Sequence, residues 1–284
     1  MKTQVTFGKS KPRCTGWLAV LSSVWLAGCA TAPRTASLTE AYTTIHQKQF
    51  VDLTHSFGPG IPHWPGFPDE KRETLYSYEP GPGKMGSGFL AEEFRHVGQW
   101  GTHVDPPAHF VRGLRTVDQI DPREMIMPLV VIDLHEQCAK NPDYTMTVAD
   151  LEAWESKHGL IPAESFVIMR TDWSKRWPDA DKMANNDAAG VPHYPGWSLP
   201  ALKYLYEKRH ITASGRETID TDPGMAAARD DFSLETYILS QNHYQIELLA
   251  GVDQVPEAGA LVVVSFPKPK NGSGFPARVF AILP

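Results

Sequence analysis

The segment Gln99-Trp100-Gly101-Thr102-His103-Val104-Asp105-Pro106-Pro107-Ala108-His109 gathers side chains that bind metals or move protons, at steps of four, two and four. Side chains alternate along an extended chain, so His103 and Asp105 share one face. Pro106 biases Asp105 toward that extended backbone, and Gly101 lets the chain bend just ahead of the pair. An imidazole beside a carboxylate suits a first-row divalent metal, and two prolines hold such a loop at low entropic cost. Taken alone, a His-x-Asp tripeptide is more often a solvated polar loop with a hydrogen-bonded histidine.

These residues need a scaffold, and hydrophobic periodicity supplies its outline. The apolar runs Leu129 to Leu134, Phe166 to Met169, Leu261 to Phe266 and Arg278 to Leu283 are short, rich in Val and Ile, and bounded by Pro, Gly or polar residues, as buried strands are. Between them, Thr147 with Asp150 three residues on caps a helix carrying Leu151 and Trp154 that Gly159 closes. Ser198, with Pro200 in the first turn, opens a second helix. Ser233 opens a third, from Leu234 to about Gln241, followed by another extended run. Alternating strands and helices predict an α/β fold, one domain with a mixed β-sheet core and flanking helices. The sheet is mixed because a short Gly-rich loop joins the last two strands as a hairpin would. The dense Pro and Gly from Gly58 to Gly88 read as a long surface loop near the site.

The formal net charge of −6 and the interspersed charges give no basic stripe, which excludes nucleic acid as the expected partner. Lys2, Lys9, Lys11 and Arg13 lead into an apolar run, Trp17 to Ala27, too short for a permanent membrane span. Residues 1–28 therefore read as a secretory signal. Leu26-Ala27-Gly28-Cys29 resembles the bacterial lipobox, which implies lipidation at Cys29. With Ala30 next, it also implies a periplasmic protein held at the outer membrane. Residues 29–48 read as a flexible tether, and 49–284 as the folded domain. Cys138 is then the lone remaining thiol and a small core residue.

The motif Gly101-Thr102-His103-x-Asp105-x-Pro107-x-His109 resembles the signature His-x-Gly-Thr-His-x-Asp-x-Pro-x-His of the cyclase family, metal-dependent hydrolases that include bacterial kynurenine formamidase and isatin hydrolase. Asp52-Leu53-Thr54, Pro62-His63-Trp64-Pro65-Gly66, Tyr194-Pro195-Gly196, Thr218-Ile219-Asp220-Thr221-Asp222 and Gly272-Ser273-Gly274-Phe275-Pro276-Ala277-Arg278 keep the family's order, so the resemblance runs from about Phe50 to the C-terminus. It implies the family's swivelling β/β/α-like fold and one or two divalent ions per chain. It assigns His103, Asp105 and Glu247 as metal ligands, with Asp105 able to bridge. His109 takes the role of catalytic acid and base, and Trp64 faces the substrate. Two positions depart from the pattern: Gln99 stands where the first signature histidine belongs, and Glu235 where a histidine precedes Glu247 by twelve residues. Both can still donate oxygen, and such a harder ligand set shifts preference from zinc toward manganese. Glu235 reads equally as a solvated residue in the first turn of a helix.

If Asp105, Glu235 and Glu247 meet, they repel, and without a cation at least one takes a pKa raised by roughly a unit or more. A divalent ion removes that cost. The expected reaction is hydrolysis of an amide, lactam, ester or lactone in a small aromatic or cyclic substrate, with the ion polarising the carbonyl and activating water. Two other readings are a non-catalytic periplasmic lipoprotein that binds a small molecule, and a metal-dependent lyase or dehydratase. Family analogy further implies a homo-oligomer. Export argues against kynurenine formamidase activity itself. His55, His63, His96, His193 and His243 read as surface or hydrogen-bonded histidines. Asp220 and Asp222 read first as ordering the turn before Pro223-Gly224, and Asp172 and Trp173 as a weak strand-end motif.

Overall fold

A computed structural model describes residues 37–81, 86 and 88–284 of the 284-residue chain; the expected signal and Cys29 lie outside them. Among the described residues, eleven strands form in chain order: β1 (Phe50–Asp52), β2 (Lys71–Tyr76), β3 (Ala91–Arg95), β4 (His103–Asp105), β5 (Ile126–Asp133), β6 (Phe166–Arg170), β7 (Ala213–Arg216), β8 (Tyr244–Glu247), β9 (Ala260–Ser265), β10 (Phe275–Pro276) and β11 (Arg278–Ile282). The helices are α1 (Leu38–His46), α2 (His135–Lys140), α3 (Val148–His158), α4 (Ala180–Ala184), α5 (Leu199–Lys203), α6 (Gly224–Ala227) and α7 (Ser233–Ser240).

Nine strands make one sheet in the order β1-β11-β9-β5-β6-β7-β8-β4-β10. From β5 to β8 the neighbours are parallel, and antiparallel strands flank them on both sides, so the sheet is mixed as expected. Each parallel step is crossed by helices, because a parallel return needs a connection of a dozen or more residues. The expected strands reappear within three residues at each end, β5 starting three residues earlier than expected, and Thr147 caps α3 with the reciprocal Asp150 bond.

The central strands are buried on both faces, which is why they read as continuous apolar runs. One face sends Leu129, Val131, Phe166 and Ile168 into a cluster that also holds Val51, Val104, Ile246 and Val279, residues from strands far apart in the sheet order. The sheet curls around this cluster, and the chain after β1 bridges the chain after β8 where Thr54 pairs with Leu249. The other face sends Val130, Ile132, Val167 and Met169 against Leu151 and Trp154 of α3, Leu202 of α5, and Ile238 and Leu239 of α7. That helix-covered face carries the site.

Three local differences from the sequence reading have physical causes. Residues 38–46, taken as part of a flexible tether, form α1, because Ser37 and Glu40 make a reciprocal capping box; the helix buries none of its residues. The Gly58 to Gly88 stretch is not loop throughout, since Lys71–Tyr76 pairs with β3 in a two-stranded sheet. Helix α7 is capped not by Ser233 but from a distance: Asp222 accepts the backbone N–H of Leu234 at 2.9 Å and of Glu235 at 3.1 Å.

Candidate metal centre

Register builds the site. In the antiparallel pair β4·β8, His103 lies opposite Glu247 and Asp105 opposite Gln245, while Val104 and Ile246 point together into the core. Four polar side chains thus share one face of two short strands, within the reach that directly opposed residues have. Strand β7 continues the row: Ser214 pairs with Gln245 in parallel register, which sets Arg216 beside Glu247. Helix α7 covers this face and brings Glu235 down onto Gln245, whose Nε2 donates to Glu235 Oε1 at 2.9 Å.

The approach to β4 is held by backbone geometry. Gly101 has φ of +59°, and a Cβ there would stand 2.9 Å from the Cβ of Phe57, so the bend ahead of the ligands requires glycine. Thr102 of the signature does structural rather than chemical work: its hydroxyl donates to the Leu248 carbonyl and accepts the His55 N–H, tying the entry of β4 to the exit of β8. His103 Nδ1 faces the Gly101 carbonyl at 2.8 Å. A carbonyl can only accept, so Nδ1 carries the proton and Nε2 keeps its lone pair. That lone pair lies 3.4 Å from Asp105 Oδ2 and 3.5 Å from Glu247 Oε2.

Among the described residues, two groups of donor atoms converge closely enough to hold a cation: His103, Asp105 and Glu247, and Asp105, His109 and Glu235. Asp105 belongs to both. Its Oδ1 is sealed from solvent and has no hydrogen-bond partner among the described residues, an uncommon and costly condition for a carboxylate oxygen unless a cation completes it. An imidazole with two or three carboxylate oxygens is a donor set for a hard or borderline divalent ion, so the residues present fit a metal.

Electrostatics agrees. Burial, joined by the charge of Asp105, pushes Glu235 well above the usual carboxylate range. Burial does the same to Glu247 although Arg216 opposes it. At Asp105 burial also raises, but the neighbouring His103, His109 and Arg216 together outweigh it and hold the group at about 2. The expected repulsion among three converging carboxylates is therefore present. His109 is pushed below its ordinary value, burial outweighing the attraction of Asp105, so it stands neutral with a lone pair near pH 7.

A cavity of about 210 Å³ opens on these groups. His103, Asp105, His109, Glu235 and Glu247 line it, and so do Gln99 and Trp64: every described residue singled out for chemistry reaches the same space. Gln99 Nε2 donates to the Ser273 carbonyl at 2.7 Å, which leaves its amide oxygen free to face the cavity. The absence of a Cβ at Gly274 leaves room for the Gln99 amide in this position. Glu235 is 3 % exposed, which removes its reading as a solvated helix residue. His63, read as a surface or hydrogen-bonded histidine, makes its hydrogen bond to the Trp64 carbonyl and also lines the wall. Asp220, read as a turn residue, is buried, accepts from the Tyr194 hydroxyl at 2.8 Å and faces the cavity.

Sequence reasoning missed Arg216 and Gln245. Arg216 is 0 % exposed; its Nη2 binds Glu247 Oε1 and its Nη1 donates to Gln245 Oε1 at 3.2 Å. The signal for Gln245 was available, because it stands two residues before Glu247 and so on the same strand face.

Comparison with known proteins places this architecture. A family model described as "Putative cyclase" matches residues 51–223. An isatin hydrolase of Roseibium aggregatum is 33 % identical over 250 residues, covering 83 % of this chain and 92 % of that one. The solved isatin hydrolase A of Ralstonia solanacearum superposes with a TM-score of 0.80 at 33 % identity, over 90 % of this chain and 100 % of its own. An isatin hydrolase solved with the product analogue thioisatinate gives 0.80 at 29 % identity, over 88 % of this chain and 100 % of its own.

Proposed function

This chain belongs to the cyclase family, and from that membership we propose that it is a metal-dependent hydrolase that opens a small cyclic amide. The observation that carries the reading is the buried, unpartnered Asp105 Oδ1 among converging His103, His109, Glu235 and Glu247, at the floor of a cavity with aromatic walls. His103, Asp105 and Glu247 would hold the ion. When bound, a divalent ion supplies Lewis-acid polarisation of a carbonyl and lowers the pKa of water.

The remaining steps belong to the protein's own side chains. Trp64 and Phe67, in edge contact at 5.1 Å, and Phe110 with Phe232 across the mouth offer flat apolar surfaces to a planar ring. They exclude water and orient the carbonyl toward the polar floor. Neutral His109 takes the proton of the attacking water and returns it to the departing nitrogen, so that one water adds across the C–N bond. Asp105, whose Oδ1 lies 3.8 Å from His109 Nε2, steadies the protonated imidazole between the two transfers.

The isatin hydrolases among the relatives support a fused bicyclic lactam as the substrate class. Incubation with isatin, with and without a chelator, tests the proposal: metal-dependent formation of a product heavier by one water supports it. Loss of water, or binding without turnover across a panel of lactams, amides and lactones, would sink it. Export and lipid anchoring through Cys29 form part of the same proposal and rest on residues 1–29 of the sequence.

A further inference from the structure

Asp220 lines the same cavity, and its carboxylate stands apart from the group that converges on His103. It follows β7 by four residues, at the carboxyl end of the parallel strands, where α/β sheets commonly place ligand contacts. The loop is held on both sides of it. Thr218 Oγ1 donates to the Asp220 carbonyl at 3.0 Å, and Thr221 Oγ1 donates to Gln245 Oε1 at 2.8 Å. The side chain is held at one oxygen only. The Tyr194 hydroxyl donates to Oδ2 at 2.8 Å, and Tyr194 is itself 4 % exposed, packed with Trp173, Met183 and Leu248. Oδ1 has no donor among the described residues, and unlike Asp105 Oδ1 it is not sealed: it opens on the cavity.

We infer that Asp220 is a specificity-determining residue: its Oδ1 accepts the N–H of the substrate and so selects lactams whose nitrogen carries a hydrogen. This rests on the proposed lactam-opening reading. An ionised carboxylate can only accept. A small ring holds its amide cis, so C=O and N–H leave the same edge, and a carbonyl turned toward His103, Asp105 and Glu247 can offer its N–H to Asp220. An open-chain secondary amide is trans and sends its N–H the opposite way. A lactone turns oxygen lone pairs toward the carboxylate, and an N-alkyl lactam leaves Oδ1 without a partner, which is how a polar site rejects an analogue lacking the donor. At His109 burial lowers the pKa while the charges of Asp105 and Asp220 oppose it, so Asp220 lies within electrostatic reach of the imidazole. A nitrogen held by Asp220 is therefore beside the residue that returns a proton to it as the C–N bond breaks.

The test compares kcat/KM for isatin and N-methylisatin, which share their rings and carbonyls and differ in the donor, with metal content read on every preparation. Comparing the ratio between parent and variant cancels the intrinsic reactivities of the two compounds. Asp220→Asn keeps the shape, and with it any steric exclusion of the methyl group, while removing the charge that the N–H meets. Tyr194→Phe leaves the carboxylate but frees its orientation, so it decides the matter if the asparagine variant fails to fold. The expected result is a preference for isatin of roughly 10- to 100-fold in the parent, the range for a hydrogen bond to a charged group. That preference should fall roughly tenfold in Asp220→Asn and by a smaller factor in Tyr194→Phe, at unchanged metal content. An equal preference in the parent and each folded variant, or a parent that turns over both compounds equally well, overturns the inference. Turnover of neither compound by the metal-loaded parent overturns instead the lactam reading beneath it.

Discussion

At the scale of single residues the division of labour around Asp105 is open to direct measurement. His109→Ala is expected to keep its metal and lose roughly 10²- to 10⁴-fold in kcat, the usual contribution of a positioned acid–base group. Metal content and turnover measured on the same preparation check this, and loss of the metal in a folded variant would move His109 among the ligands. His103→Ala with Asp105→Ala is expected to abolish uptake of zinc and manganese alike. The ligand pair was legible because it sits two residues apart on an extended strand beside two prolines. Arg216 was not. Nothing in Ala-Ser-Gly-Arg announces a buried strand, and a lone arginine reads as surface until the strand beside it shows the glutamate it neutralises.

Between residue and whole molecule lie the contacts that fix one element against another. Asp222 receives two backbone N–H groups at the head of α7, the helix that delivers Glu235. Asp222→Ala should therefore cost about 1 kcal/mol, the usual worth of a helix cap, read as a lowered denaturation midpoint, and should also loosen the position of Glu235. Helix α3 is tied to the chain after α5 by Glu155, which accepts from Arg209 Nη2 at 2.7 Å, the Tyr204 hydroxyl at 2.6 Å and the Ile161 N–H at 3.0 Å. The Arg209 bonds, assisted by the Tyr204 hydroxyl and the Ile161 N–H, hold the Glu155 carboxyl at about 2 against its ordinary 4.5. A depressed acid stabilises the fold fully above 4.5, and that contribution fades as pH falls toward 2. Glu155→Gln should lower the melting temperature at neutral pH and flatten its decline across that window; an unchanged acid limb would show that the pair carries no linkage. Capping boxes and apolar runs made α3 and the central strands readable. The cap of α7 was not, because it comes from a loop before the helix, where sequence shows only a turn.

For the molecule as a whole, metal binding and folding are linked. An ion that binds the native centre and not the unfolded chain stabilises by about 2.7 kcal/mol at a hundredfold excess over its Kd. The melting temperature should therefore climb with manganese concentration and fall with a chelator, and the ligand variants should show neither response. The mixed α/β class and the single folded domain were legible from alternation of pattern. The closure of the sheet was not, since it depends on pairings between distant segments. Those pairings also govern when the centre can exist. Strand β4 lies between β8 and β10, with His103 facing Glu247 on one side and Pro276 on the other. A ribosome must pass Pro276 before the strand bearing His103 and Asp105 gains its second neighbour, so a nascent or prematurely ended chain has no finished place for an ion. An ion that needs His103, Asp105 and Glu247 together would therefore bind only after β8 has been made, and the supply around the folded chain would help decide which ion it holds.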